Sequence, residues 1–118
     1  MPTVLHVDDK PEIGKIVSLY MRDEFDIIYF DNAVSALAYL QAGRLPDLII
    51  TDVKMPGVDG FEFLTQLKSS EMFRPIPVFI LSGIDNSQDH IRLLEMGAVD
   101  FIQKPFNPEV LKVRIKKW

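Results

Sequence analysis

Asp8, Asp9, Asp52, Ser82 and Lys104 are the residues of this chain whose types and positions could do chemistry together. Each stands at or just past the end of a short apolar run. Val4 to Val7 leads into Asp8-Asp9, Leu48-Ile49-Ile50 toward Asp52, Val78 to Leu81 into Ser82, and Val99 to Ile102 toward Lys104. Carboxylates held close together repel one another and are costly to bury without a cation. An all-oxygen cluster that leaves ligand positions for water suits Mg²⁺ better than zinc. Such an ion would shield an incoming phosphoryl group, and Lys104 would add a second positive charge. A carboxylate can also be the nucleophile itself and form an acyl phosphate. Asp52 has the most pointed context. Val-Lys-Met-Pro-Gly-Val-Asp-Gly follows it at once, and Pro56-Gly57 suits a tight turn that clears the space above the acid.

The elements that must position these groups alternate. The apolar runs are Val4 to Val7, Phe25 to Phe30, Leu48 to Ile50, Val78 to Leu81 and Val99 to Ile102. Several are nearly continuous, as in strands covered on both faces. Between them apolar residues recur at helical spacing: Ile13, Ile16, Val17 and Tyr20; Val34, Leu37, Ala38 and Leu40; Phe61, Leu64 and Leu67; Ile91 and Leu94; Val110, Leu111, Ile115 and Trp118. Alternating strands and helices define an α/β domain with a parallel sheet, and right-handed crossovers place helices on both of its faces. Asp59 precedes Glu62 by three residues, which marks a helix start. Gly43 and Gly97 suit helix ends. In an open parallel sheet, ligands bind beyond the carboxyl ends of the strands, where the strand order reverses. If the first and third strands are neighbours there, Asp8, Asp9 and Asp52 share one crevice, with Ser82 and Lys104 along the same edge.

Composition narrows the options. The 118 residues suit one domain, 1–118, and at 47% hydrophobic and 25% charged they are ordinary globular material. A formal charge of -4 disfavours direct nucleic-acid binding by this domain. Without cysteine there are no disulfides and no thiolate metal sites. The N-terminus MPTVLHVDD lacks the pattern of a signal peptide, and no apolar stretch approaches membrane-spanning length. The expected location is cytoplasmic. The chain stops inside its last helical pattern, KVRIKKW, which fits either a natural end or a piece of a longer protein with a C-terminal output domain.

Four blocks in order, VDD at 7 to 9, DVKMPGVDG at 52 to 60, LSG at 81 to 83 and DFIQKPF at 100 to 106, closely resemble the receiver domain of two-component response regulators. The resemblance runs over essentially the whole chain. It implies a flavodoxin-like doubly wound sheet in the order 2-1-3-4-5. It also implies transfer of a phosphoryl group to Asp52 from a histidine kinase or a phosphotransfer protein. Asp8 and Asp9 would organise Mg²⁺, with Asp9, Asp52 and the backbone carbonyl of Lys54 as direct ligands and Asp8 acting mainly through water. Lys104 would pair with the phosphoryl oxygens. Ser82 would donate its hydroxyl to them and draw its loop inward, and Phe101 would then turn from exposed to buried. The surface of the fourth helix, fifth strand and fifth helix would change shape for an output domain, a partner or a second copy. The Lys104-Pro105 peptide is cis in such domains. They turn over no separate substrate, although they often catalyse their own dephosphorylation.

Departures from common patterns are visible. Ser82 stands where threonine is frequent, Phe101 where tyrosine is frequent, and Val99 where dimerising winged-helix regulators usually carry an acid. Lys54 and Ile84, each two residues beyond a functional position, bear on how long an acyl phosphate would last. Two other readings stay open. A phosphatase of the haloacid dehalogenase type would want an acid where Lys54 stands and room for a cap domain. A phosphorylation-independent interaction domain would not need the acid set. Taken singly, most of these residues have plainer roles. Asp9, three before Glu12, suits a helix cap. Ser82 suits a turn, Lys104 a solvated surface, and Phe101 a core. His6 reads as a core histidine with its hydrogen bonds met, and His90 as a residue on a helix face. Lys112, Arg114, Lys116 and Lys117 suit a helix C-terminus.

Overall fold

The computed structural model describes all 118 residues. Ten elements alternate strictly: β1 (Thr3–Val7), α1 (Pro11–Met21), β2 (Asp26–Phe30), α2 (Ala33–Gln41), β3 (Leu48–Thr51), α3 (Gly60–Lys68), β4 (Val78–Ser82), α4 (Ser87–Glu95), β5 (Asp100–Gln103) and α5 (Pro108–Lys116). All strands are parallel, in the order β2-β1-β3-β4-β5. This is the doubly wound, flavodoxin-like arrangement expected from the sequence. The chain leaves β1 toward β2 on one side and returns to β3 on the other, so the order reverses between β1 and β3.

The central strands are apolar because both of their faces are covered. One core cluster joins Val4, Ile50, Phe79, Leu81 and Ile102 to Val17 and Met21 of α1 and to Leu111 and Ile115 of α5. The other joins Leu5, Val7, Ile49, Val78 and Ile80 to residues of α2, α3 and α4, among them Leu40, Phe63, Leu67 and Leu93. Alternation along β1 therefore sends Val4, His6 and Asp8 to one side and Leu5 and Val7 to the other.

The helix faces differ from the spacing in the sequence. Ile16, Tyr20, Val34, Ile91, Leu94 and Val110 are exposed, whereas Val17, Met21, Ala36, Leu40 and Leu93 are buried. Several helices carry apolar residues on both faces, so spacing alone does not single out the inner one.

Caps behave as the side chains direct. Asp59 accepts from the Glu62 N–H at 2.9 Å and starts α3. The cap expected of Asp9 does not form: α1 begins after Lys10 with Pro11 in its first turn and no side-chain cap. Pro11 has no N–H to satisfy at the first helical position, and the Ile13 N–H is met by the Lys10 carbonyl at 3.0 Å. Gly43, Gly57 and Gly97 have positive φ, at the ends of α2 and α4 and in the Pro56-Gly57 turn. Gly60 serves a different need. A Cβ there would lie 2.5 Å from the Asp52 carbonyl oxygen and 2.6 Å from Val53 Cα. Only glycine lets the start of α3 close on the Asp52–Val53 peptide, and its N–H donates to the Val53 carbonyl at 2.8 Å.

Candidate functional site

Strand ends gather the chemistry at one edge. Val7 pairs with Thr51 across β1 and β3, so the residues that follow, Asp8 and Asp52, emerge side by side at the reversal point. Backbone bonds fix both: the Asp8 N–H donates to the Phe30 carbonyl at 3.2 Å, and the Asp52 N–H to the Val7 carbonyl at 2.9 Å. The carboxylates of Asp8, Asp9 and Asp52 each offer an oxygen within 4.8 Å of the others. Asp8 and Asp52 are buried, and Asp9 is half-buried at the rim. This is a hard, all-oxygen donor set open to solvent on one side, which fits a hydrated Mg²⁺.

Lys104 reaches the same point from β5. Its Nζ donates to Asp8 Oδ2 at 2.8 Å and to Asp52 Oδ2 at 3.2 Å. Its own backbone N–H donates to the Ser82 carbonyl at 2.8 Å, which anchors the loop, and the Lys104-Pro105 peptide is cis. Lys10, which the sequence did not single out, adds a second ammonium 3.4 Å from Asp9 Oδ1 and 3.9 Å from Asp52 Oδ2. Its position directly after the acid pair was the available signal. Burial pushes the Asp8 carboxyl above its ordinary range, and the bond from Lys104 pulls it part of the way back.

Ser82 and Phe101 sit farther along the edge. Ser82, buried at the end of β4, accepts the Ile84 N–H on its Oγ at 3.3 Å. The Ile84 carbonyl in turn bonds His90 Nε2 at 2.7 Å. Phe101 is half-buried on β5 and stacks on the His90 ring, with centroids 3.7 Å apart. His90 is thus on a helix, as expected, but it also ties the loop after Ser82 to Phe101. Lys54 is exposed in the loop after Asp52.

Of two residues behind the acids, Tyr29 was not foreseen, and His6 is in the core as expected but without its expected hydrogen bonds. The Tyr29 hydroxyl donates to the Asp8 backbone carbonyl. Burial and then the Asp8 charge push this phenol up to about 12, so it remains a donor. His6, one alternation below Asp8, corrects an expectation. It is fully buried, yet neither ring nitrogen has a hydrogen-bond partner. Its neighbours in the strand register are Tyr29 and Ile50, and the core beneath it is apolar. Burial, with Lys104 nearby, lowers its pKa to about 3 and keeps it neutral.

The basic residues of α5 also have partners. Lys112 bonds Asp23 at 2.9 Å, Arg114 Asp100 at 3.4 Å, and Lys116 Glu24 at 3.1 Å.

A doubly wound sheet with acids at its reversal point and a lysine spanning them is the arrangement that the resemblance to receiver domains implies. The response regulator receiver domain family model matches residues 4–116, and the chain belongs to that family. Its members are signalling modules of two-component systems rather than enzymes that turn over a separate metabolite. The chain is 35% identical over 114 residues to the regulatory protein VanRc of Enterococcus gallinarum, covering 96% of this chain and 48% of that one. It is 37% identical over 114 residues to the phosphate regulon transcriptional regulatory protein PhoB of Escherichia coli, covering 96% and 49%. It thus spans about half the length of these relatives. The solved structure of the chemotaxis response regulator CheY4 of Vibrio cholerae superposes with a TM-score of 0.91 at 30% identity, covering 99% of this chain and 98% of that one. No helix is long and apolar enough to cross a membrane.

Proposed function

We propose that this domain accepts a phosphoryl group on Asp52 from a histidine kinase or a phosphotransfer protein and passes the event to its α4-β5-α5 surface. The observation that carries the proposal is the Lys104 ammonium, 2.8 Å from Asp8 and 3.2 Å from Asp52, beside carboxylates that share one crevice. Side chains 96 and 52 positions apart in the chain converge there.

Asp9, Asp52 and the Lys54 carbonyl would hold Mg²⁺, with Asp8 contributing through water. When bound, the ion supplies charge neutralisation for the phosphoryl oxygens and the acids. In the transfer, an Asp52 carboxylate oxygen attacks phosphorus and a P–O bond forms. The P–N bond to the donor imidazole breaks, and its electron pair leaves with the imidazole, which takes up a proton. Lys104 neutralises charge on the equatorial oxygens, and water later cleaves the acyl phosphate.

Ser82 would turn its hydroxyl to a phosphoryl oxygen and give up the Ile84 N–H. Phe101 would move inward, changing a surface on which Ile91, Leu94, Val110 and Val113 are exposed. That surface suits a second copy of this chain or an output domain. Because VanRc and PhoB are named regulatory proteins and are about twice as long, an output domain following residues 1–118 fits the reading, as does a cytoplasmic location. Intact-mass measurement after treatment with acetyl phosphate and Mg²⁺ tests the proposal. One phosphoryl group is expected, removed by hydroxylamine and absent in Asp52→Asn. An unmodified wild-type mass would overturn it.

A further inference from the structure

Asp9 is the least restrained of the three acids. It lies at the rim, and its carboxylate has a single ion-pair partner, Lys10 at 3.4 Å, whose own side chain is half exposed. Asp8 by contrast is buried, and its carboxylate accepts from the Lys10 N–H at 2.9 Å and from Lys104. What orients Asp9 is therefore its backbone, and the peptide that enters Asp9 begins at the Asp8 carbonyl. The Tyr29 hydroxyl donates to that carbonyl.

Tyr29 reaches it through an unusual opening. Its ring lies directly over Gly14 of α1, where an added Cβ would meet ring carbons at 2.7 to 2.9 Å. Any larger residue at 14 would displace the ring. The ring also lies 5.5 Å from that of His6, tilted by 54°. Gly14 and the strand register hold the phenol in one pose, with its oxygen aimed at the turn that presents both acids.

We infer that Tyr29 is a positioning residue for the cation site: its bond to the Asp8 carbonyl fixes the plane of the Asp8–Asp9 peptide, and with it the direction of the Asp9 carboxylate. The inference rests on the proposed Mg²⁺ site. Outer partners of this kind orient ligands without touching the ion, and losing one commonly weakens metal binding by about 10-fold or more.

The test is Mg²⁺ binding by calorimetry, together with acetyl phosphate labelling across Mg²⁺ concentrations, on wild type, Tyr29→Phe and Gly14→Ala. Tyr29→Phe keeps the ring over Gly14 and removes only the hydroxyl. Because the link runs through backbone, the expected loss is smaller than for a direct partner: the Mg²⁺ Kd rises about 3- to 10-fold. Half-saturation of labelling moves with it, the rate at saturating Mg²⁺ stays within about twofold of wild type, and the melting temperature without Mg²⁺ falls by no more than the few degrees that one lost hydrogen bond costs. Gly14→Ala, which keeps the hydroxyl but displaces it, is expected to weaken Mg²⁺ in the same direction. If wild type binds Mg²⁺ and both variants bind it equally well, the role assigned to Tyr29 is wrong. If wild type itself binds no Mg²⁺, the cation site fails and this inference falls with it.

Discussion

Lys104 Nζ lies closer to Asp8 Oδ2, at 2.8 Å, than to Asp52 Oδ2, at 3.2 Å. The ammonium therefore balances the most buried acid of the crevice, and only secondarily the proposed acceptor. Even so, the Asp8 carboxyl remains above its ordinary range, because burial outweighs what Lys104 returns. A carboxyl raised in the folded state stabilises the fold below the unfolded pKa, and that stability is lost as pH rises through the folded value. Without a cation, the charged form of Asp8 is thus a net strain on the fold. Asp8→Asn is predicted to raise the melting temperature of the metal-free domain by about 3 °C or more and to shrink the further rise that Mg²⁺ gives wild type. Thermal unfolding with and without Mg²⁺ checks this, and a lower melting temperature for the metal-free variant would contradict it.

His6 sets an acid-side prediction. Its pKa falls from 6.5 to about 3 on folding. A lowered histidine contributes stability that is present above the unfolded value and lost as pH falls toward the folded one. Wild type should therefore lose stability between pH 6.5 and 3 in part through this ring. Its two unpartnered nitrogens also cost the fold at every pH, by about 1–3 kcal/mol in total. His6→Leu, apolar and of similar bulk, is predicted to gain about 1 kcal/mol at pH 7 and more at pH 5. Urea denaturation at the two pH values is the measurement; equal or lower stability at pH 5 would show that the ring has a partner.

At the other end of the site, His90 couples Ile84 to Phe101. Removing the ring in His90→Ala deletes the stacked pair and the bond to the Ile84 carbonyl, for about 1–2 kcal/mol together. The loop after Ser82 should then open more readily. Amide exchange at Ile84 is predicted to accelerate severalfold while exchange in β1 stays unchanged. Identical exchange at Ile84 in the variant would remove His90 from the coupling.

Gly60→Ala tests how tightly α3 must close on the acceptor. The new Cβ would meet backbone atoms at 2.5 and 2.6 Å, which cannot rotate away as a side-chain tip does. A loss of about 1–3 kcal/mol is expected, and because the strained atoms belong to Asp52 and Val53, slower labelling by acetyl phosphate should accompany it. Normal stability would mean that this junction yields more easily than its geometry indicates.

The strands and the acids were legible from the sequence for a common reason. VLHV, LII and VFIL are nearly continuous because both faces of the sheet are covered, and a polar residue at or one place past the end of such a run has one place to go, the sheet edge. The inner faces of the helices were not legible. Ile91 and Leu94 have the spacing of a buried stripe yet point outward, while Leu93 between them is buried. Under the proposed switch that exposed face would meet a partner, a use that apolar spacing alone does not separate from packing on the core. Tyr29 left no trace either. A hydroxyl bonded to a backbone carbonyl 21 residues away follows from strand register, with Val7 opposite Phe30, rather than from any local pattern. Lys104 has the opposite character: its place after a strand put it at the crevice edge in the sequence, although its contact with Asp8, 96 positions away, appears only in the fold.

The central claim is that Asp52, and not another acid of the crevice, takes the phosphoryl group. Borohydride reduction of the acetyl phosphate-treated, Mg²⁺-loaded domain, followed by peptide mass mapping, tests it most directly, because only an acyl phosphate is reduced to the corresponding alcohol. The predicted result is a single reduced side chain at Asp52, with Asp8 and Asp9 intact. Reduction at Asp8 or Asp9, or at none of the three, would contradict the account.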